Sequence, residues 1–234
     1  MSNQFHQERI MAQIYTVHPQ DPQQRTIDTI RADLLAGAVM LYPTDTVYAI
    51  GCDLNSKSAV QRVRQIKQMS NDKPLTFLCS SLSNIAQYAR VSDPAYKIMR
   101  KLIPGPYTFL LPATKLVPKL VQNPKRKTTG IRVPNHPVCQ ALLETLASPV
   151  ISTSAHFSEE ESLQGGSKYP QALSPAELFD HFDKQVDIIV ENGQDLSYEA
   201  STILDLCHDE PKVVREGLGG MRSLPTLPGF DLFP

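Results

Sequence analysis

Toward its C-terminal end the chain carries three strand-like runs, Val186 to Val190, Ser201 to Leu206 and Lys212 to Arg215, with no helical pattern between them. Successive parallel strands need a crossover of a dozen or more residues, so these runs exclude a purely parallel sheet. Before them, helix and strand patterns alternate. Asp21-Pro22 reads as the start of a helix with Ile27, Ile30 and Leu34 on one face and Gly37 as its stop. Residues 38–42 and Thr46 to Gly51 read as strands, and Ser56 as the cap of a helix carrying Val60, Val63 and Ile66. Leu75 to Cys79 is a further strand; Asp93-Pro94 opens a helix with Ile98, Met99 and Leu102, and Pro104-Gly105-Pro106 closes it before a strand at Thr108 to Leu111. The pattern continues with a strand at 128–133, a helix from His136 to Leu146, a strand from Pro149 to Ser152 and a capping box at Ser174-Pro175-Ala176-Glu177. The fold class is α/β, a single domain with a mixed parallel and antiparallel sheet flanked by helices.

A length of 234 residues and 41% apolar content suit one well-buried body. The formal net charge of −1 rules out a broad electrostatic footprint for nucleic acid, leaving room only for a local patch. Cys52, Cys79, Cys139 and Cys207 show no C-x-x-C spacing, Met1 to Arg9 is polar, and no apolar run approaches the roughly 20 residues of a membrane span. Four unpaired thiols without an export signal point to the reducing cytoplasm. Glu159 to Ser167 reads as a surface loop, and the tail after Glu216 as a Gly/Pro-rich end whose Phe230 and Phe233 either dock or stay unstructured.

Several strand patterns end in hydroxyls or a cation: Pro43-Thr44-Asp45-Thr46-Val47-Tyr48, Gly130-Ile131-Arg132-Val133-Pro134 and Ser152-Thr153-Ser154-Ala155. In open α/β sheets the carboxyl ends of strands form the ligand crevice, so these residues are candidates for holding an anion. Lys67 falls at a helix end, Arg132 within an apolar strand and Arg215 at the close of Lys-Val-Val-Arg. A buried cation needs a partner, so Arg132 and Arg215 either form structural ion pairs or meet an anionic ligand. The Ser-Thr-Ser run either lines the crevice or caps a turn. The P-loop, dinucleotide, zincin and nucleophile-elbow patterns are all missing, and the six histidines are isolated in sequence, so no dedicated metal site is expected. Lys125-Arg126-Lys127 is either a solvated loop or an RNA contact.

Taken in order, Pro43 to Cys52, Pro104-Gly105-Pro106-Tyr107-Thr108-Phe109, Ile131 to Pro137, Ser152 to Ala155 and Ser201 to Leu206 resemble the successive blocks of the YrdC family. His18-Pro19, Gln23-Gln24-Arg25 and Arg126-Lys127-Thr128 with Gly130 resemble its YciO branch. The resemblance covers about residues 14–217, leaving an N-terminal extension at 1–13 and a tail at 218–234. It implies a twisted fold with a concave cationic cavity and an activity that makes L-threonylcarbamoyladenylate from L-threonine, bicarbonate and ATP, with Mg²⁺ entering on the nucleotide, for modification of a tRNA adenosine. Thr44, Thr46 and Tyr48 would surround the threonyl part, Lys67, Arg132, Ser152 and Ser154 would hold carboxylate and phosphates, and Ser201 and Arg215 would complete the nucleotide side. Lys67, Arg132 and Ser154 would carry the chemistry. Two positions depart from the family's synthases: Lys67-Gln68-Met69 replaces a Lys-x-Arg, and His156 replaces an asparagine. The departures keep a second class open, a non-catalytic protein that binds double-stranded RNA or an adenylate on the same scaffold.

Overall fold

Alternate residues of the central strands enter two different apolar clusters, which is the signature of a sheet buried on both faces. Leu41, Phe77, Ile151 and Ile189 belong to one cluster, and their neighbours Met40, Tyr42, Leu78, Val150, Ile188 and Val190 to the other. The computed structural model describes residues 11–69, 74–155, 174–194, 197–208 and 210–220. Among these residues the sheet has ten strands: β1 (Gln13–Thr16), β2 (Met40–Tyr42), β3 (Ala49–Asp53), β4 (Thr76–Leu78), β5 (Tyr107–Pro112), β6 (Thr128–Arg132), β7 (Val150–Ser154), β8 (Ile188–Glu191), β9 (Thr202–Asp205) and β10 (Lys212–Arg215). Their order is β1-β8-β2-β3-β7-β4-β6-β5-β9-β10. Parallel pairs (β1/β8, β2/β8, β4/β6, β5/β9) mix with antiparallel ones (β2/β3, β3/β7, β4/β7, β5/β6, β9/β10). The expected mixed sheet is present, but β8 and β9 are not neighbours: the chain crosses from one half of the sheet to the other between them.

Among the described residues the helices are α1 (Gln24–Leu35), α2 (Lys57–Ile66), α3 (Leu82–Tyr88), α4 (Asp93–Leu102), α5 (Pro137–Leu146) and α6 (Pro175–Phe182). α2, α3, α4 and α6 send Val60, Val63, Ile85, Ile98 and Phe182 into the first cluster. α1 and α5 send Ile27, Ile30, Leu34, Val138 and Leu142 into the second. The two layers differ in reach. The first cluster includes Phe109, Ile131 and Leu204 of β5, β6 and β9, whereas the second takes no residue from β5, β6, β9 or β10. Among the described residues, one half of the sheet is therefore left without apolar helical cover on one face.

Several boundaries move from the sequence reading. α1 starts at Gln24 rather than at Asp21-Pro22, because His18 Nδ1 accepts the Asp21 N–H at 3.0 Å and Gln23 Oε1 accepts the His18 N–H at 3.1 Å, closing residues 18–23 into a turn of their own. β3 starts at Ala49 rather than Thr46, because the Thr44 hydroxyl accepts the N–H groups of Thr46 and Val47 and donates to the Val47 carbonyl. The cap of α4 is Ser92, whose Oγ accepts the Ala95 N–H, with Asp93 and Pro94 in the first turn. The capping box at Ser174 and Glu177 and the Ser56 cap are as expected. The loop from Glu159 to Ser167 and the tail residues Phe230 and Phe233 lie outside the described residues. Backbone contacts continue past the expected boundary at Gly217: the Leu218 N–H donates to Ala200 O, and the Tyr107 hydroxyl to Gly219 O. No helix among the described residues is long and apolar enough to cross a membrane.

Candidate active site

On the uncovered half of that face the strands bring polar residues together. Ser152 of β7 stands opposite Thr76 of β4, which stands opposite Gly130 of β6. In the adjoining row Thr108 of β5 faces Ile203 of β9, and Ile203 faces Arg215 of β10. Gly130 makes room there, since a Cβ would lie 2.7 Å from Thr76 Oγ1 and push that side chain aside. A bulge between Val213 and Arg215 shifts the β10 register at the sheet's edge, a device that re-aims a side chain. Together these elements surround a cavity of about 160 Å³, lined among others by Thr44, Thr46, Thr76, Thr108, Arg132, Ser152, Ser154, Ser201 and Arg215.

Arg132 is buried and fixed on three sides. Its Nε donates to Gly105 O at 3.3 Å, one terminal nitrogen to Thr46 Oγ1 at 2.9 Å and the other to Asp45 Oδ1 at 2.5 Å. Three of the five N–H groups are thereby used, and two remain for a ligand. The Asp45 carboxylate is in turn held by the Asn135 N–H at 3.0 Å. The two readings of Arg132 left open by the sequence are both realised, because it is ion-paired and lines the cavity.

Arg215 differs. Its guanidinium donates to Ser201 O at 2.7 Å, and among the described residues no carboxylate lies within ion-pair distance. One side remains open to solvent; desolvation of the other side, and then the Arg132 cation, lower its pKa from the usual arginine value. Two guanidinium groups that repel each other across a cavity favour an anion between them.

The hydroxyls are set as donors. Ser152 Oγ accepts from the Tyr42 hydroxyl at 2.8 Å. Thr108 and Ser201 face each other at 2.8 Å and share one hydrogen, so one is left over. An oxygen that already accepts from the protein keeps its own hydrogen for a ligand. Thr44 and Thr46 are the exceptions: the Thr44 hydrogen goes to Val47 O at 2.7 Å and the Thr46 hydrogen to Thr44 Oγ1 at 3.0 Å, so both hydroxyls shape the turn and neither offers the cavity a donor.

Residues 32–217 match the family Sua5_yciO_yrdC, described as telomere recombination. The chain belongs to this family. It is 40% identical to Escherichia coli YciO, a protein described as uncharacterized, over 91% of this chain and 98% of that one. The crystal structure of E. coli YciO superposes with a TM-score of 0.80, covering 91% and 99% of the two chains. The threonylcarbamoyl-AMP synthase of Pseudoalteromonas atlantica is 32% identical over 70% of this chain and 84% of its own. P. abyssi Sua5, in a structure complexed with L-threonine, matches at 25% identity with a TM-score of 0.76, covering 87% of this chain and 57% of Sua5.

Within this Sua5/YciO/YrdC domain, the structure brings together Thr44, Thr46, Arg132, Ser152, Ser154, Ser201 and Arg215. It does not bring Lys67 to them: Lys67 is the C-cap of α2 and is not among the lining side chains. Tyr48 is buried edge-on against Phe179, with ring centroids 5.5 Å apart, and lines a narrow neighbouring cleft with Leu178 and Tyr198. Burial pushes its phenol pKa up. Met69 packs its thioether against the first apolar cluster, which accounts for an apolar side chain at that position. His156 lies outside the described residues. Lys125, Arg126 and Lys127 are exposed away from the cavity lining; the Asn123 side chain accepts the N–H groups of Lys125 and Arg126, and Arg126 approaches Asp205 at 3.8 Å. Thr76 and Thr108 are lining residues the sequence reading missed. Their signal was a threonine at an alternate position of an otherwise apolar strand, with Leu78 or Leu110 next on the same face.

Proposed function

We propose that this protein is a nucleotidyltransferase of the threonylcarbamoyl-AMP synthase type, joining L-threonine, bicarbonate and ATP into threonylcarbamoyl-AMP, with release of pyrophosphate and water, for modification of a tRNA adenosine. The observation that carries the reading is the convergence of Arg132, Arg215 and a set of donor hydroxyls on one cavity. In the reaction a carbamate oxygen of N-carboxylated threonine attacks the α-phosphorus, and the bond to pyrophosphate breaks. Both partners are anions, so the protein's work is to hold them together and to stabilise charge that spreads over the phosphoryl oxygens. The two free N–H groups of Arg132 and the Arg215 guanidinium suit that task, and Ser152 and the Thr108/Ser201 pair add neutral donors. At about 160 Å³ the cavity is smaller than the 300–1,000 Å³ of sites that enclose a drug-sized ligand. It therefore takes the reacting groups, with the rest of the nucleotide toward the open side at Arg215. Among the described residues the carboxylate nearest this chemistry, Asp45, is occupied by Arg132 and Asn135, which suits a Mg²⁺ carried in on the triphosphate rather than held by the protein.

The test is pyrophosphate release with threonine, bicarbonate and ATP, compared with each omitted in turn. Release that needs all three supports the synthase reading. Tight ATP binding with no threonine-dependent release would assign the cavity to a non-catalytic adenylate-binding role.

A further inference from the structure

The cavity's buried cation does not hold its own position. β6 delivers the Arg132 side chain to the uncovered face, but a long guanidinium side chain has many rotamers, and three fixed acceptors select one of them. Gly105 O and Thr46 Oγ1 are neutral; the charged acceptor is Asp45, partly buried beside Arg132, with side-chain exposures of 11% and 7%. Asp45 is itself immobilised. Its second oxygen takes the Asn135 N–H at 3.0 Å, and its backbone lies inside the turn that the Thr44 hydroxyl closes. The carboxylate is not among the side chains that line the cavity. It touches the site only through the guanidinium.

We propose that Asp45 is a positioning residue of the anion pocket: acting through Arg132, it aims two free N–H groups at the ligand, at the expense of cancelling that residue's charge. The proposal rests on reading the cavity as an anion site. It also divides the work between the cations, since Arg132 supplies direction and Arg215, with no carboxylate beside it among the described residues, supplies net attraction. Aim and charge make opposite predictions. By Coulomb's law alone, removing the Asp45 charge near a bound anion tightens binding. If aim dominates, removing it weakens binding, because the freed guanidinium must be ordered again for every binding event.

The experiment measures the affinity of inorganic pyrophosphate by calorimetry in wild type, Asp45→Asn, Arg132→Gln and the double variant, each checked for folding by circular dichroism. The expected result is a loss of about tenfold or more in Asp45→Asn, with the double variant binding as Arg132→Gln does, since Asp45 has nothing left to position. Unchanged or tighter binding in folded Asp45→Asn overturns the proposal. So does a double variant weaker than Arg132→Gln, or a wild type that does not bind pyrophosphate. Should Asp45→Asn fail to fold, the double variant, which leaves no buried charge at either position, still makes the comparison with Arg132→Gln. Catalysis does not enter the measurement. A wild type that binds pyrophosphate but never releases it from ATP counts against the synthase reading and not against this one.

Discussion

Arg132 and Arg215 line the same cavity, yet the protein treats them in opposite ways. Arg132 sits in β6, buried, with a carboxylate, a hydroxyl and a carbonyl around it. Arg215 sits on β10 at the sheet's edge, open to solvent, with backbone and hydroxyl oxygens of Ser201 as its partners. The inner arginine belongs to the fold as much as to the site, because a buried charge has to be compensated before any ligand arrives. The outer one is kept charged by water and needs no such partner. One arginine is therefore pre-organised and the other available, and substitutions at the two positions should fail in different ways.

The largest effect is expected at the inner position. Arg132→Ala leaves the partly buried Asp45 carboxylate without its cation, and the loss of one partner of a buried pair costs up to about 3–5 kcal/mol. Urea unfolding should show it as a lower midpoint at unchanged slope. A variant as stable as wild type would mean that the pair is not what fixes the 43–48 turn against β6. Next comes Gly130→Ala, whose new Cβ would press on the Thr76 hydroxyl, with Thr108 Cγ2 also within 3.5 Å. Overpacking of this kind costs roughly 1–3 kcal/mol. Equal stability and equal ATP affinity in wild type and Gly130→Ala would show that Thr76 yields freely and is no part of the site. Arg215→Ala should do the reverse of Arg132→Ala. An exposed side chain contributes within about 0.5 kcal/mol to stability. ATP affinity should nevertheless fall about tenfold or more with the loss of a charge-assisted contact. Calorimetric titration with ATP decides it, and an Arg215→Ala protein that binds like wild type removes the outer arginine from the site.

This contrast marks what the sequence could and could not disclose. Arg132 within Gly-Ile-Arg-Val and Arg215 at a strand end were visible as cations in apolar strands, and the Ser-Thr-Ser run was visible as donors. That Arg132 serves as both ion pair and cavity lining was not visible, since its partner Asp45 is 87 residues away in the chain. The cavity itself depends on where the α1/α5 layer stops, a property of strand order rather than of any local pattern. Lys67 and Met69 show the limit from the other side. The resemblance implied a phosphate contact at Lys67 and the loss of one at Met69; Lys67 caps α2 outside the cavity lining, and Met69, just past the helix, packs against the first apolar cluster. The resemblance implied Tyr48 beside Thr46, but the turn closed by the Thr44 hydroxyl precedes β3, so no strand alternation keeps the two side chains together and Tyr48 packs against Phe179. β1 and α3 escaped notice because they bury little: Gln13 to Thr16 is mostly exposed, and Ile85 is the buried residue of α3.

The smallest expected effect also separates the two arginines, through pH. His136 is buried at the N-cap of α5, and burial first, then the Arg132 cation, lowers its pKa from 6.5, with Asp45 opposing them. Its Nε2 faces the Asn192 amide nitrogen at 3.2 Å, an orientation fixed because Asn192 Oδ1 accepts the Gln194 N–H. That arrangement suits a neutral ring. The unfolded chain takes up a proton as the pH falls through about 6.5, while the folded protein resists until its lower pKa is reached. The contribution of His136 to stability is thus complete above about pH 6.5 and is lost as the pH falls toward the folded value, with a limiting slope of about 1.4 kcal/mol per pH unit. Urea midpoints at pH 7.5 and 5.5 should differ less in His136→Gln than in wild type by about 1 kcal/mol or less. Arg215→Ala should retain the wild-type pH dependence, because His136 feels the inner arginine and its carboxylate. Identical pH dependence in wild type and His136→Gln would show that the buried imidazole does not report on the Asp45/Arg132 pair, and if Arg215→Ala were the variant to change it, the division between an inner structural cation and an outer available one would have to be redrawn.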